Sequence, residues 1–129
     1  MLFSLLAWAT VAAHAVFILF AVFGGFVAWR YPWVALLHVP AAAWGAYVEF
    51  SGRICPLTPI ENQFRGLAGL AGYSEDFVEH YLLAIMYPEG LTVPIQYALG
   101  ALVLALNAGI YFAIARRALR NRRVGRYAA

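Results

Sequence analysis

The sequence predicts an all-α membrane protein, an up-and-down bundle of four transmembrane helices with a short amphipathic interfacial helix between spans 2 and 3. Of the 129 residues, 64% are apolar and only 12% are charged, which is about half the charged fraction usual in soluble domains. A soluble protein of this size could not bury so much apolar surface, so we expect the excess to face lipid. We therefore predict a single transmembrane domain over residues 1–129.

The first two spans follow from two long apolar segments. Residues 2–29 carry no charge, and this run exceeds the roughly 20 residues that a helix needs to cross a bilayer. An aromatic turn at Tyr31, Pro32 and Trp33 is typical of a membrane interface. The second span is predicted over residues 32–50, with a kink or local loosening at Pro40.

The central part of the chain, residues 51–73, is its longest polar interval. Thr58 and Glu61 are spaced as a capping box, with Pro59 at the first helical position, and they predict an interfacial helix over residues 59–68. A third span is predicted over residues 74–87. It has about 14 residues, or roughly 21 Å, so it is short for a bilayer core and could fail to cross. The fourth span is predicted over residues 92–115.

All nine basic residues are arginines, and six of them lie in the predicted basic tail, residues 116–129. This charge follows a membrane helix and lies on no folded base-reading module, so we exclude nucleic acid as a partner and expect contact with the lipid bilayer. The positive-inside rule then places both termini in the cytoplasm. We favour four spans, but if residues 74–87 do not cross, a three-span alternative with the N-terminus outside also satisfies the tail.

The few polar residues of each span recur at helical spacing and predict a polar interior. The predicted site consists of His14, His38, Glu49 and His80, with Glu79 and Asn107 supporting it. Ionisable side chains inside a membrane usually mark a site or a proton path. Histidines and carboxylates could bind zinc, copper or iron, and two histidines from different helices could bind haem. Two alternatives remain open, a structural or proton-linked polar network and a site that a partner protein completes.

Several segments together resemble a family of small bacterial membrane proteins catalogued as domain of unknown function 2784. The resemblance rests on the run GRICPLTPIEN at residues 52–62, on Leu37-His38 with Trp44 and Glu49, on Tyr73, Phe77, His80 and Tyr81, on Tyr87-Pro88, and on His14, Phe20, Gly24 and Gly25. It covers nearly the whole chain except the arginine tail. It implies a four-helix protein of the bacterial inner membrane, without an assigned activity. It also implies that Cys55 and Glu61 belong with His14, His38, Glu49 and His80 as positions of interest.

We therefore predict a small membrane protein with an intramembrane His/Glu site that binds a metal ion or haem for redox or proton-linked work. The competing hypothesis is a non-catalytic accessory subunit of a larger membrane complex, docked through the small-residue faces at 41–45 and 105–109. A carrier or channel is disfavoured because the chain has no paired inverted repeats. The sequence assigns no reaction, so whether the protein is an enzyme stays open.

Overall fold

The protein, seen in a computed structural model, is described over residues 1–83 and 92–127, and this part is helical with no strand. The helices are α1 (Leu2–Arg30), α2 (Ala35–Ser51), α3 (Leu57–Leu67) and α4 (Val93–Tyr127). A 3₁₀ turn (Pro32–Val34) precedes α2, and a π-helical turn (Val78–Leu83) follows α3 in the chain. The last part of the predicted third span, residues 84–87, lies outside the described residues, as do residues 128–129 of the tail.

Two local features determine the turn between α1 and α2 and the end of α2. Pro32 follows the end of α1 and opens the 3₁₀ turn, because it fixes its own φ and cannot donate the hydrogen bond that would continue the helix. The second helix continues through Pro40. It ends at Gly52, whose φ of 61° lies in the left-handed region that glycine adopts without steric cost.

Contacts along their lengths give the relative directions of α1 and α2. Near the turn between them, the ring of His38 packs on Gly24. Further from the turn, Gly45 lies beside Ala21, and Glu49 lines the same cavity as His14. Residue numbers rise along one helix as they fall along the other, so α1 and α2 are antiparallel.

The last helix runs parallel to α1. Asn107 of α4 donates a hydrogen bond to the carbonyl of Ala21, and Trp29 lines one groove together with Ala113. The same helix is antiparallel to α2, because His38 contacts Tyr111 near one end of the pair, and Phe50 packs against Tyr97 near the other.

The order of directions along α1, α2 and α4 is therefore up, down, up, and α4 begins at the end of the bundle where α2 finishes. In a four-span up-and-down bundle the first and last helices run in opposite directions, with both termini at one end. The described helices differ from that prediction, because α1 and α4 are parallel and their starting ends lie on the same side. This is the arrangement of the three-span alternative.

The third helix packs against α1 with its polar side turned towards the protein. Thr58 and Glu61 are buried, with Glu61 0% exposed, whereas Ile60 is 43% exposed and Leu67 57%. The predicted capping box is absent: the helix begins at Leu57, with Pro56 at the N-cap and no capping bond from a side chain. The sequence pattern predicts a helix with a polar and an apolar face, and the structure buries the polar face against the protein.

The whole described part has this inverted distribution of polarity. Within it, Leu2–Arg30 and Val93–Arg123 are long and apolar enough to cross a membrane. Large apolar side chains cover the outside, among them Leu5, Leu19, Phe23, Leu36 and Leu102. The buried side chains are mostly alanines together with polar residues such as Thr10, His14, His38 and Asn107. Small residues allow the helices to approach closely, and His38 and Asn107 make hydrogen bonds between helices.

Candidate functional site

The first polar cluster, which we call the histidine layer, consists of His38, Asn107, Tyr111 and the carbonyl of Ala21. Nδ1 of His38 lies 2.8 Å from the Tyr111 hydroxyl, and Nε2 lies 3.3 Å from the Ala21 carbonyl oxygen. A carbonyl can only accept, so Nε2 carries the proton. In the neutral ring, Nδ1 then accepts from the Tyr111 hydroxyl. Both nitrogens of this fully buried histidine are engaged, so a metal could bind only after one hydrogen bond breaks.

Asn107 completes the histidine layer from α4. Its Nδ2 donates to the carbonyls of Ala21 and Val103, at 3.0 Å and 2.9 Å. The carbonyl of Ala21 therefore accepts from both α2 and α4, and a single turn of α1 joins the three long helices. Gly25 makes room for this contact, because a Cβ there would stand 3.0 Å from Oδ1 of Asn107. The histidine layer therefore stabilises the contact between the three helices through hydrogen bonds.

The second feature is a cavity of about 40 Å³, which we call the polar cavity. Its walls come from α1, α2 and the segments on either side of α3: His14, Phe17, Ile18, Gly45, Val48, Glu49, Cys55, Asp76 and Val78. A water needs roughly 10–15 Å³ of such volume and two to four polar partners, so the cavity has room for one to a few waters. It brings together three of the predicted site residues, His14, Glu49 and Cys55.

Two polar atoms of the residues that line this cavity are buried with no hydrogen-bond partner in the described protein. They are Nδ1 of His14 and Oε2 of Glu49. The imidazole of His14 is held by Phe77, whose ring centroid lies 4.1 Å away. Because an unpartnered buried polar group costs free energy, both atoms are suited to bind a water or another small polar species. Asp76, which is only half-buried, lies at the same cavity.

The third feature, the carboxylate clamp, is formed by Glu61, Arg65, Tyr73 and Tyr81. The hydroxyls of Tyr73 and Tyr81 donate to the two carboxylate oxygens of Glu61, each at 2.7 Å. Arg65 lies 3.5 Å from the same carboxylate and also donates to the Tyr81 hydroxyl. Burial, together with the hydrogen bond to Glu61, raises the pKa of Tyr73. This phenol therefore remains a donor at neutral pH, and a buried charge is compensated on both oxygens.

Backbone contacts extend the clamp into the segment that precedes the π-helical turn. The side chain of Asn62 pairs with Tyr73 twice: it donates to the carbonyl at 2.6 Å and accepts from the amide at 3.0 Å. Arg65 Nε donates to the carbonyl of Ala71 at 2.7 Å. These bonds fix residues 71–73 on α3, and they thereby position Asp76 at the polar cavity and Phe77 against the ring of His14.

The predicted third histidine lies elsewhere. His80 stacks on Tyr73, with ring centroids 3.8 Å apart and planes at 9°, and its Nδ1 lies 3.7 Å from a carboxylate oxygen of Glu75. About a third of its side chain is exposed. Glu79 lies beside it on the π-helical turn and is half-buried. The three histidines thus belong to three different places, and the predicted set of His14, His38 and His80 does not converge.

The predicted metal or haem site receives no support from this geometry. In the described ranges, no three side chains among the His, Cys, Asp and Glu residues form a group that could hold a metal ion. Sites for small organic ligands usually measure about 300–1,000 Å³, and the polar cavity, at about 40 Å³, is far smaller than that. Cys55 is a free, buried cysteine whose thiol pKa is raised by burial, so it has the character of a packed side chain.

Comparison with known protein families gives one result. Residues 4–112 match the family described as "Protein of Unknown function (DUF2784)". The chain belongs to this family. The match covers the histidine layer, the polar cavity and the carboxylate clamp, so these features lie within the part of the chain that defines the family. Comparisons with curated proteins and with solved structures gave no match.

Five polar residues of these clusters are not among the predicted site residues, namely Arg65, Tyr73, Asp76, Tyr81 and Tyr111. Asp76 borders the polar cavity beside His14 and Glu49. The position of Tyr111 is predictable from the sequence, because it follows Asn107 by one helical turn and therefore lies on the same face of the helix. The two phenols of the clamp approach Glu61 through an irregular segment, which helical periodicity does not describe.

Proposed function

We propose that this family member is a three-span membrane protein whose polar cavity is a proton-binding site open to one side of the bilayer. His14, Glu49 and Asp76 exchange protons there through one or a few waters. The observation that carries the proposal is that Nδ1 of His14 and Oε2 of Glu49 are both buried without a partner and that their residues line one cavity. The proposal keeps the predicted proton-linked role, with protonatable side chains and water in place of the predicted metal ion or haem.

The spans of this proposal are α1, α2 and the apolar part of α4. Two of them satisfy the length and hydropathy needed to cross. The 3₁₀ turn and α2 together cover residues 32–51, close to the roughly 20 residues required. The exposed apolar surface and the polar interior support the same assignment. With the arginines of α4 in the cytoplasm, the parallel α1 starts on the opposite side, and α3 lies at the outer face.

The two polar clusters along α1 give the proposed site its one-sided character. His14 precedes Ala21 by seven residues, or about 10 Å along the helix axis. On the α3 side, the half-buried Asp76 connects the cavity towards the surface. On the other side, both nitrogens of His38 are already engaged. A proton can therefore enter from the α3 side and reach His14 or Glu49, whereas the histidine layer offers it no free acceptor on the His38 ring.

Infrared difference spectroscopy of the full chain in bilayers tests this proposal directly. Between acidic and alkaline buffer, a protonated carboxyl group in an apolar site gives a carbonyl stretching band that shifts in heavy water. We expect such a titrating band in the wild type and its loss in Glu49→Gln. The matched control is Glu75→Gln, because Glu75 is an exposed carboxylate outside the cavity. A wild type without the band, or an unchanged band in Glu49→Gln, would refute the proposal.

Elemental analysis of the same preparation keeps the predicted metal site open to test. A stoichiometric metal that is lost in His14→Gln would replace the proton site with a metal site. A metal-free protein that retains the titrating carboxyl band would support the proton site alone.

The accessory-subunit hypothesis is the second candidate, and one observation favours it. The outward face of α4 carries exposed small residues at Ala105 and Gly109, and no atom lies within 4 Å of a Cβ built on Gly109. Small residues on a lipid-facing surface let a second membrane helix approach closely. The other predicted docking face is used internally, since Ala41 and Ala42 are buried.

Photo-crosslinking in native membranes tests this second candidate. A photoreactive residue at position 105 should give one discrete product with another protein, and the same residue at Leu36, which is exposed on α2, should not. Equal, diffuse labelling from both positions would contradict a docking face on α4.

A further inference from the structure

The fourth feature is a groove at the far end of the bundle from the polar cavity. It has a volume of about 580 Å³, within the roughly 300–1,000 Å³ typical of ligand sites. Trp29 forms one wall at the end of α1, and α4 forms the other. The lining residues from α4 are Ala113, Leu119 and four arginines: Arg116, Arg117, Arg120 and Arg123.

The charge of this groove is uncompensated in the described protein. The arginines at positions 116, 120 and 123 recur at helical spacing and so share one face of α4. In the described residues, none of the four forms an ion pair, and the ion pairs that do occur lie at the clamp and at His80. Guanidinium groups bind phosphate oxygens through paired hydrogen bonds. Several of them around one groove therefore favour a phosphate-bearing ligand.

The apolar part of the groove selects among phosphate-bearing ligands. Trp29 and Ala113 belong to the apolar spans, whereas the arginines begin only three residues after Ala113. The groove therefore lies across the boundary between hydrocarbon and headgroup, where tryptophan side chains are enriched. An anionic phospholipid presents a phosphodiester directly above its acyl chains and matches both parts.

We propose that this groove binds the headgroup of an anionic phospholipid, with the phosphodiester held by Arg116 and Arg120 and the first acyl carbons against Trp29 and Ala113. The proposal rests on the membrane assignment above and is independent of the proton site. It goes beyond a general attraction of a basic tail to the bilayer, because it assigns the contact to one groove formed by a face of α4 and Trp29 of α1.

Quenching of Trp29 by brominated lipids tests the site. Phenylalanine replaces the three other tryptophans (Trp8, Trp33 and Trp44), which are exposed, so that Trp29 alone reports. The full chain is reconstituted in vesicles of dibromo-phosphatidylcholine and dibromo-phosphatidylglycerol, each diluted with unbrominated phosphatidylcholine. The site variant is Arg116→Gln with Arg120→Gln. The control is Arg53→Gln with Arg122→Gln, which removes the same charge outside the groove.

We expect Trp29 to associate with the anionic lipid about tenfold more strongly than with the neutral lipid, since each arginine near the surface contributes appreciably. This preference should fall below about twofold in the site variant and remain in the control. Equal quenching by both lipids, or an equal loss in both variants, would overturn the proposal. Displacement of the anionic lipid by excess inorganic phosphate, and not by sodium chloride of equal ionic strength, would overturn it in favour of a soluble phosphate ligand.

The same data separate this proposal from the membrane assignment. Quenching by the neutral brominated lipid reports only that Trp29 lies in the bilayer. If neither lipid quenches, the membrane assignment and the proposal both fail. If both lipids quench equally, only the headgroup site fails.

Discussion

The carboxylate clamp makes a quantitative prediction about how α3 holds the segment that reaches the polar cavity. In Glu61→Gln, an amide replaces a carboxylate that accepts two hydrogen bonds of 2.7 Å. Net contributions are about 1.5–3 kcal/mol for hydrogen bonds to charged groups and about 0.5–1.5 kcal/mol for neutral ones. The amide oxygen still accepts from one tyrosine hydroxyl, whereas the amide nitrogen must donate to the other hydroxyl. Both bonds then become neutral ones, so we expect a loss of about 2–3 kcal/mol.

Hydrogen–deuterium exchange at the Tyr73 amide measures this loss where it occurs. That amide donates to the side chain of Asn62 and exchanges only when the segment detaches from α3. A loss of about 2–3 kcal/mol corresponds to roughly 30- to 150-fold faster exchange, because every 1.4 kcal/mol is a factor of ten.

Glu75→Gln is the matched control for this experiment, because its carboxylate is exposed, accepts from the Ser74 amide at 3.1 Å and lies 3.7 Å from His80, without touching the clamp. Exposed pairs of this kind contribute about 0–1 kcal/mol, so the Tyr73 amide should exchange within about fivefold of the wild type. Equal exchange rates in the two variants would refute the assignment of Glu61 as the group that holds residues 71–73.

Three further predictions concern packing, pH and topology. Gly24→Ala should destabilise the bundle by about 1–3 kcal/mol in a detergent unfolding titration, because a Cβ there would stand 2.8 Å from a ring carbon of Phe20; Gly109→Ala, with open space around it, should be neutral or stabilising. The pKa of Tyr73 is raised in the folded state, so its contribution to the free energy of unfolding is complete below about pH 10 and is lost as the pH rises further. The melting temperature should therefore fall above about pH 10, and it should fall less in Tyr73→Phe. In a Cys55→Ser background, Ser74→Cys should react with a membrane-impermeant thiol reagent in intact cells, and protection until lysis would contradict the outward orientation of α3.

Periodicity and hydropathy are local properties, and they predicted the local features of this protein. A helix over residues 2–29 needs only an uninterrupted apolar run, and the structure has α1 at Leu2–Arg30. The polar stripes likewise indicated that His38 and Asn107 are buried, and both are. Membership of the family was also correct, because the quoted segments are spread over most of the chain.

The remaining features depend on pairings between distant residues. His38 and Tyr111 are 73 positions apart, and no periodicity joins them. The direction of α4 depends on whether the segment after α3 crosses the membrane. Both the four-span and the three-span model place the C-terminal arginines in the cytoplasm, so the positive-inside rule does not choose between them. An amphipathic pattern gives α3 two faces, but the sequence does not state whether its surroundings are water or lipid. For these reasons the four-span bundle and the convergence of three histidines were both plausible, and the contacts show neither.

The length of α4 has a mechanical consequence. Its 35 residues, Val93–Tyr127, form one helix of about 52 Å, so the arginines continue the same rod that carries Asn107 and Tyr111. In the proposed three-span arrangement, the apolar part of this helix, residues 93–115, measures about 35 Å, and an apolar stretch longer than the hydrocarbon core responds to a thinner membrane by tilting. Because the rod is continuous, such a tilt displaces the Tyr111 hydroxyl relative to His38. In the proposed three-span arrangement, the thickness of the membrane would thereby act on the hydrogen bond that joins α2 to α4.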